Sequence, residues 1–168
     1  MTSSLPLLTI FHSRDIPQFL DAVTKLKNID KLWVNYYPQY AAYPLARLEF
    51  LKRLDYTHMV ILADDLIVKQ RDLDILANEC DKYDSISGWC NLWYVGPWKE
   101  FSNISYSLPP DPPNGRTTEE YHFIPMATLD IIREIPIKDG APIIQVEHQG
   151  TALTFLKREL LEEKVELR

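Results

Sequence analysis

Three short apolar segments, separated by stretches with helical spacing, constrain most strongly what this chain can fold into. The segments are LLTIF at 7–11, KLWVNYY at 31–37 and HMVILA at 58–63. Apolar residues recur every three or four positions between them, at Ile16, Phe19, Leu20, Val23 and Leu26, and again at Leu45, Leu48, Leu51 and Leu54. Strands alternating with helices predict parallel βαβ units. We therefore expect an α/β sandwich with a mostly parallel central sheet flanked by helices.

The length of 168 residues favours one domain, 1–168, interrupted by a loop. Eight of the 12 prolines lie between Pro97 and Pro142, and the run LPPDPPNG occupies 108–115. Because proline lacks the N–H and restricts the residue before it, we predict a long surface loop over 96–120. The tail from Thr151 to about Leu167 has leucines at helical spacing and is predicted to form an amphipathic helix.

Charge and hydropathy exclude several classes of protein. The net charge of −6 argues against a broad basic face for nucleic acid, so we expect no nucleic-acid partner. The longest apolar run, Met59–Ala63, is far shorter than the roughly 20 residues of a membrane span. The two cysteines form no metal or redox motif, which is typical of a reducing compartment. These features predict a soluble cytoplasmic protein without a transmembrane segment.

The third apolar segment ends directly in two acidic residues, Asp64 and Asp65. In an open parallel sheet, ligands bind beyond the carboxyl ends of the strands. Adjacent carboxylates repel each other, and a divalent cation that bridges them to a phosphate relieves this repulsion. Oxygen ligands suit Mn²⁺ or Mg²⁺. The alternative, a pair of exposed turn aspartates, stays open on the sequence pattern alone.

In these segments the chain resembles the GT-A fold glycosyltransferases, which are nucleotide-sugar-dependent enzymes with a D-x-D metal motif at the end of a central strand. The resemblance spans most of the chain. The segments that carry it are LLTIFHSR, YPLARLEFLKRLDYTHMVILADDLIVKQRDLDIL, HFIPMATLDIIREI and IIQVEHQGTALTFLKREL. Three positions depart from the family pattern: Ala63 replaces the first Asp of D-x-D, Asn35 and Tyr36 stand where a base-contacting carboxylate often lies, and Glu147-His148 replaces the usual Glu-Asp.

The resemblance implies a role for each candidate residue. Asp65 would ligate the metal, Asp64 would support the metal or a ribose, and His148 would be a third metal ligand or a base. Glu147 would be the general base of an inverting reaction. The residues expected to contact the nucleotide are His12, Arg14, Asn35 and Arg47, of which the two arginines suit phosphate oxygens.

Aromatic residues cluster near the predicted loop, at Trp89, Trp93 and Trp98. Aromatic faces stack on the C–H faces of sugars, so these residues are candidates for a donor or acceptor platform. The competing interpretation is that they pack in the core.

Three functions follow from these observations. The first is a metal-dependent, inverting glycosyltransferase that moves a sugar from a nucleotide-sugar donor to a glycan, protein or lipid-linked acceptor. The second is a catalytically degenerate member of the same fold that binds a nucleotide or glycan. The third is a nucleotidyltransferase, which ranks lowest because FHSRDIPQ lacks the glycines that hold a triphosphate.

Overall fold

The computed structural model describes residues 5–35, 39–64, 66–88, 91–92, 101–107, 121–125, 148–149 and 153–162. The chain divides into two compact units, one formed by Met1–Gly88 with Thr151–Arg168 and the other by Trp89–Gly150. Across the part of the chain that is described, every helix is too short or too polar to cross a bilayer.

The first unit contains a sheet of five strands with four helices. The strands are β1 (Pro6–Phe11), β2 (Asp30–Val34), β3 (His58–Ala63), β4 (Ser85–Ser87) and β9 (Leu153–Lys157). The helices are α1 (Pro17–Lys25), α2 (Gln39–Leu51), α3 (Gln70–Glu79) and α4 (Arg158–Glu162), and a 3₁₀ turn over Cys80–Lys82 follows α3. The strand order β2-β1-β3-β9-β4 confirms the α/β class that the alternation predicts.

The sheet is mixed, whereas the sequence predicts a mostly parallel one. β1 pairs in parallel with β2 and β3, but β9 pairs antiparallel with both β3 and β4. The predicted helix from Thr151 is therefore wrong over Leu153–Lys157, which form β9. Leu153, Thr154 and Phe155 are all buried because β9 lies between two strands, and consecutive burial conceals the alternation that identifies a strand at a sheet surface.

Helices cover both faces of this sheet. On one face, Leu8 and Ile10 of β1 pack in a cluster with Phe19 and Val23 of α1 and with Leu73 of α3. On the other face, Leu7 and Phe11 of β1 pack with Ala42, Ala46 and Phe50 of α2. Because α1 follows β1 and α2 follows β2, the chain leaves the carboxyl ends of these two adjacent strands toward opposite faces of the sheet. Open α/β sheets bind ligands in the crevice outside the carboxyl ends of their strands.

Arg158 connects α4 to the end of α2. Its guanidinium donates hydrogen bonds to the backbone carbonyls of Tyr56 (2.8 Å) and Arg53 (2.6 Å), and it lies 4.6 Å from the centre of the Phe50 ring. The last carbonyls of a helix lack partners within it, and a cation there also interacts favourably with the helix dipole. The α4 segment thus completes the polar end of α2.

The second unit contains four described strands. These are β5 (Asn91–Leu92), β6 (Phe101–Ser107), β7 (Tyr121–Pro125) and β8 (His148–Gln149). β6 is central and pairs antiparallel with the other three. The predicted surface loop over 96–120 is wrong at Phe101–Ser107, which form β6. The prolines of that region flank β6, and the stretch from 98 to 108 contains none. The rest of the predicted loop lies outside the described residues.

Candidate functional site at the carboxyl edge of the sheet

Three parallel strands end at one edge of the first sheet. Phe11, the last residue of β1, is in register with Val34 of β2 on one side and with Ala63 of β3 on the other. The residues that follow these strands, His12, Asn35 and Asp64, therefore lie at this edge. The sequence predicts this for His12 and Asp64, whereas it places Asn35 inside the strand 31–37, and the structure ends β2 at Val34.

Asp64 holds the loop after β1 against the end of β3. Its Oδ2 accepts hydrogen bonds from the backbone N–H of Ser13 (2.8 Å), the Ser13 hydroxyl (2.8 Å) and the backbone N–H of Arg14 (3.0 Å). Its Oδ1 accepts one from Nη2 of Arg14 at 2.8 Å. A carboxylate has about four acceptor positions, two on each oxygen, so the three donors saturate Oδ2 while Oδ1 accepts one. Asp64 is therefore an anchor of the loop, and this role competes with the metal-ligand role that the sequence suggests.

The hydrogen bonds to Asp64 also set its protonation. Burial alone would raise the pKa of this carboxyl, but the hydrogen bonds from Arg14 and Ser13 outweigh it and lower the pKa from 3.8 to about 2. The side chain of Asp64 is only 5% exposed, whereas that of Arg14 is 58% exposed. The carboxylate thus stays ionised near neutral pH and fixes the guanidinium at a solvent-facing edge.

His12 offers unused hydrogen-bonding capacity at the same edge. Its Nε2 is buried and lies 3.3 Å from Oδ1 of Asp15, yet no described atom meets it in hydrogen-bonding geometry. The ring packs edge-on against Trp33, with 5.5 Å between the ring centres. Trp33 is partly exposed at the penultimate position of β2. Sequence reasoning missed Trp33 as a site residue, because the predicted strand 31–37 placed it well before the strand end, whereas β2 ends at Val34.

The structure brings Asn35 to this edge but not Arg47. Asn35 is exposed and directly follows β2. Nε of Arg47 instead donates to the carbonyl of Leu161 in α4 at 2.6 Å. α4 begins after Lys157, which is in register with His58, the first residue of β3. Arg47 thus contacts a helix that starts at the amino edge of the sheet, and we assign it to the packing of α2 on α4.

The other predicted site residues lie outside the described residues or in the second unit. Asp65, Glu147, Trp89, Trp93 and Trp98 are outside the described residues, so their roles stay predictions. The backbone of His148 lies in β8, in register with Ser105 of β6.

Among the described residues, one group of three potential metal-ligating side chains comes close together. It consists of His58, Cys80 and Asp81. His58 begins β3, so this group lies at the amino edge. At the carboxyl edge, Asp64 accepts four hydrogen bonds from Ser13 and Arg14, so we expect a metal there to rely mainly on Asp65.

Comparisons with known proteins bear on the fold alone. No family model matches the sequence, and no curated protein matches it. Among solved structures, the chain is similar to a crystal structure of A197 from STIV, with a TM-score of 0.57 and 18% sequence identity over 95% of this chain and 68% of that chain. At this identity, the likeness indicates a shared fold and carries no function from one protein to the other.

Proposed function

We propose that this protein is a nucleotide-sugar-dependent glycosyltransferase domain of the GT-A type, whose donor nucleotide binds at the carboxyl edge of β1, β2 and β3. The observation that carries the proposal is the bond set that joins Asp64 at the end of β3 to Ser13 and Arg14 after β1. This bond set presents an exposed guanidinium at the carboxyl edge of the sheet, where open α/β sheets bind ligands and where a phosphate group would suit the guanidinium.

Two further groups support a nucleotide at this edge. The buried Nε2 of His12 lacks a hydrogen-bond partner among the described atoms, and a ribose hydroxyl or phosphate oxygen would supply one. The partly exposed indole of Trp33 beside it offers an apolar face to a base or a sugar. Asn35 adds an exposed amide at the end of β2.

The metal and the general base are assigned to residues beyond this bond set. Mn²⁺ or Mg²⁺, when bound, neutralises the charge that develops on a departing diphosphate. Because Asp64 anchors the loop, we assign the metal to Asp65, with His148 as a further candidate ligand. Glu147 is proposed to accept the proton of the acceptor hydroxyl in an inverting reaction.

A thermal-shift screen tests this function. The full chain is heated with UDP, GDP and CMP and with their sugars, each in Mn²⁺ and in EDTA. A ligand that binds only the native state raises the Tm by mass action, so we expect one nucleotide class to raise it. We expect Arg14→Gln to weaken that shift in both conditions and Asp65→Asn to remove only its metal-dependent part. Asp55→Asn, at an exposed turn before β3, is the matched control. A chain that responds to no nucleotide would contradict the proposal.

A binding module of the same fold is the second candidate, and the engagement of Asp64 favours it specifically. Ala63 lacks a carboxylate, and Asp64 accepts four hydrogen bonds from Ser13 and Arg14, so two of the three D-x-D positions have little or no capacity left for a metal. Turnover separates the two functions. A transferase releases nucleotide diphosphate from the bound donor sugar, whereas a binding module shows saturable binding without release.

A further inference from the structure

A second cluster of reactive side chains lies at the opposite edge of the sheet from the proposed nucleotide site. His58 is the first residue of β3, and Cys80 and Asp81 begin the 3₁₀ turn after α3. One ligand atom from each of the three side chains lies within 4.8 Å of the others. The three residues thus join the start of a central strand to the end of a helix.

The Thr57 hydroxyl is a fixed partner for one ring nitrogen of His58. The hydroxyl accepts a hydrogen bond from the N–H of Leu5 (3.0 Å) and lies 3.5 Å from the Leu5 carbonyl. Its oxygen lies 3.0 Å from Nδ1 of His58. In the tautomer with the proton on Nδ1, the ring donates to this oxygen and presents the lone pair of Nε2. A fixed partner on one ring nitrogen is the usual arrangement of a metal-ligating histidine.

Nε2 of His58 is an unsatisfied buried atom. The residue is 3% exposed, and no described atom meets Nε2 in hydrogen-bonding geometry. Buried polar atoms in native proteins are nearly always paired with protein, water or an ion. The ring faces the Cys80–Asp81 turn.

The chemistry of the three side chains selects the ion. An imidazole nitrogen, a thiolate sulfur and a carboxylate oxygen together suit Zn²⁺, whereas Mg²⁺ and Ca²⁺ prefer oxygen alone. Zinc bonds of roughly 2.0–2.3 Å bring tetrahedral ligands to about 3.5 Å apart. Cys80 is fully buried and Asp81 is exposed. Rotation of the Asp81 side chain would therefore bring its carboxylate from the solvent side to bonding distance of the ion. The fourth coordination position would be left to water.

We propose that His58, Cys80 and Asp81 form a zinc site, separate from the nucleotide edge, that ties the start of β3 to the end of α3. Binding breaks the S–H bond of Cys80, which now donates to the Ala77 carbonyl at 3.2 Å. The proton passes to water and the sulfur bonds the ion, so zinc uptake releases about one proton. The carboxylate of Asp81 and the uncharged ring bind without further proton transfer.

Metal titration of the full chain tests this site. The protein is stripped with a chelator and then titrated with Zn²⁺ by calorimetry, and separately with Co²⁺, whose thiolate complex gives a charge-transfer absorption. We expect one zinc ion per chain, a higher Tm with zinc, and a cobalt band that Cys80→Ser removes. Loss of an outer-shell partner alone typically weakens a site about 10–100-fold, so we expect Asp81→Asn, a direct ligand, to weaken zinc binding at least that much.

Two matched variants keep the result interpretable. Cys90→Ser alters the other cysteine, and Asp84→Asn alters an exposed carboxylate near the same turn. Both should leave zinc affinity and the cobalt band unchanged. Because Asp81 is exposed, Asp81→Asn reports on the site even where Cys80→Ser fails to fold. No saturable zinc binding, binding unchanged in Asp81→Asn, or a cobalt band that Cys90→Ser removes and Cys80→Ser retains would overturn the proposal.

Discussion

Replacing Asp64 with asparagine tests the central feature of the carboxyl edge. The carboxylate accepts three hydrogen bonds on Oδ2 and one on Oδ1, all from Ser13 and Arg14. In Asp64→Asn an NH₂ group replaces one oxygen. In either orientation of the amide, this donor faces at least one of the four donors, so bonds are lost as well as charge.

The expected cost follows from the pKa of the carboxyl. A decrease from 3.8 to about 2 corresponds to about 2 kcal/mol of preference for the ionised form in the folded state. The exposed guanidinium of Arg14 is screened by solvent, which reduces its share. The amide that faces donors adds about 1 kcal/mol. We therefore expect Asp64→Asn to lower the free energy of unfolding by about 2–3 kcal/mol at pH 7.

Urea unfolding followed by circular dichroism measures this loss, with Asp15→Asn as the matched control. Asp15 lies in the same loop, but its side chain is 88% exposed, so its replacement should change stability by less than about 0.5 kcal/mol. A cost for Asp64→Asn that equals the cost for Asp15→Asn would refute the anchoring role.

The same pair of proteins gives a pH signature. Because the folded-state pKa of Asp64 is depressed, its contribution is complete above the unfolded value of 3.8 and is lost as pH falls toward about 2. The stability difference between the wild type and Asp64→Asn should shrink over that window and stay constant from pH 5 to 7. A difference that grows on acidification would contradict the assigned charge state.

Three other substitutions have defined outcomes. Arg158→Lys keeps the charge but loses the planar guanidinium that binds the carbonyls after α2. In urea unfolding it should lower the free energy of unfolding by about 1–2 kcal/mol. Glu162→Gln, the control, should lower it by under about 0.5 kcal/mol because the ion pair of Glu162 with Arg158 is at the surface. Phe155→Ala should cost about 3–5 kcal/mol, since Phe155 is 1% exposed in the core, and Leu54→Ala, 81% exposed, should cost under about 0.5. Trp33→Ala should weaken nucleotide binding in the thermal-shift screen without a matching loss of stability; unchanged binding would remove Trp33 from the proposed site.

Local pattern predicted the first half of the fold well. β3 coincides with its predicted segment, β1 begins one residue before its segment, and β2 is shifted to Asp30–Val34 from the predicted 31–37. α1 matches the helical spacing between Ile16 and Leu26. Each of these elements has a repeating face set by its own residues, which a sequence displays directly. The helix prediction for the tail was wrong for the same reason, because the leucines of β9 mimic helical spacing. Only the position of β9 between β3 and β4 explains why consecutive residues of this strand are buried.

For the candidate site, too, the sequence determined one part of the arrangement and the tertiary structure decided the rest. The sequence by itself determined that His12 and Asp64 follow strands, and therefore that they gather at one edge once the strands pair in parallel. It placed Asn35 inside the strand 31–37, and only the structure, in which β2 ends at Val34, puts Asn35 at that edge. Only the tertiary structure decided that Asp64 bonds to residues about 50 positions away, that Arg47 contacts a carbonyl 114 positions away, and that Trp33 meets His12. Strand periodicity depends on neighbours along the chain, whereas the partner of a polar side chain depends on which distant segments the topology brings within about 3 Å.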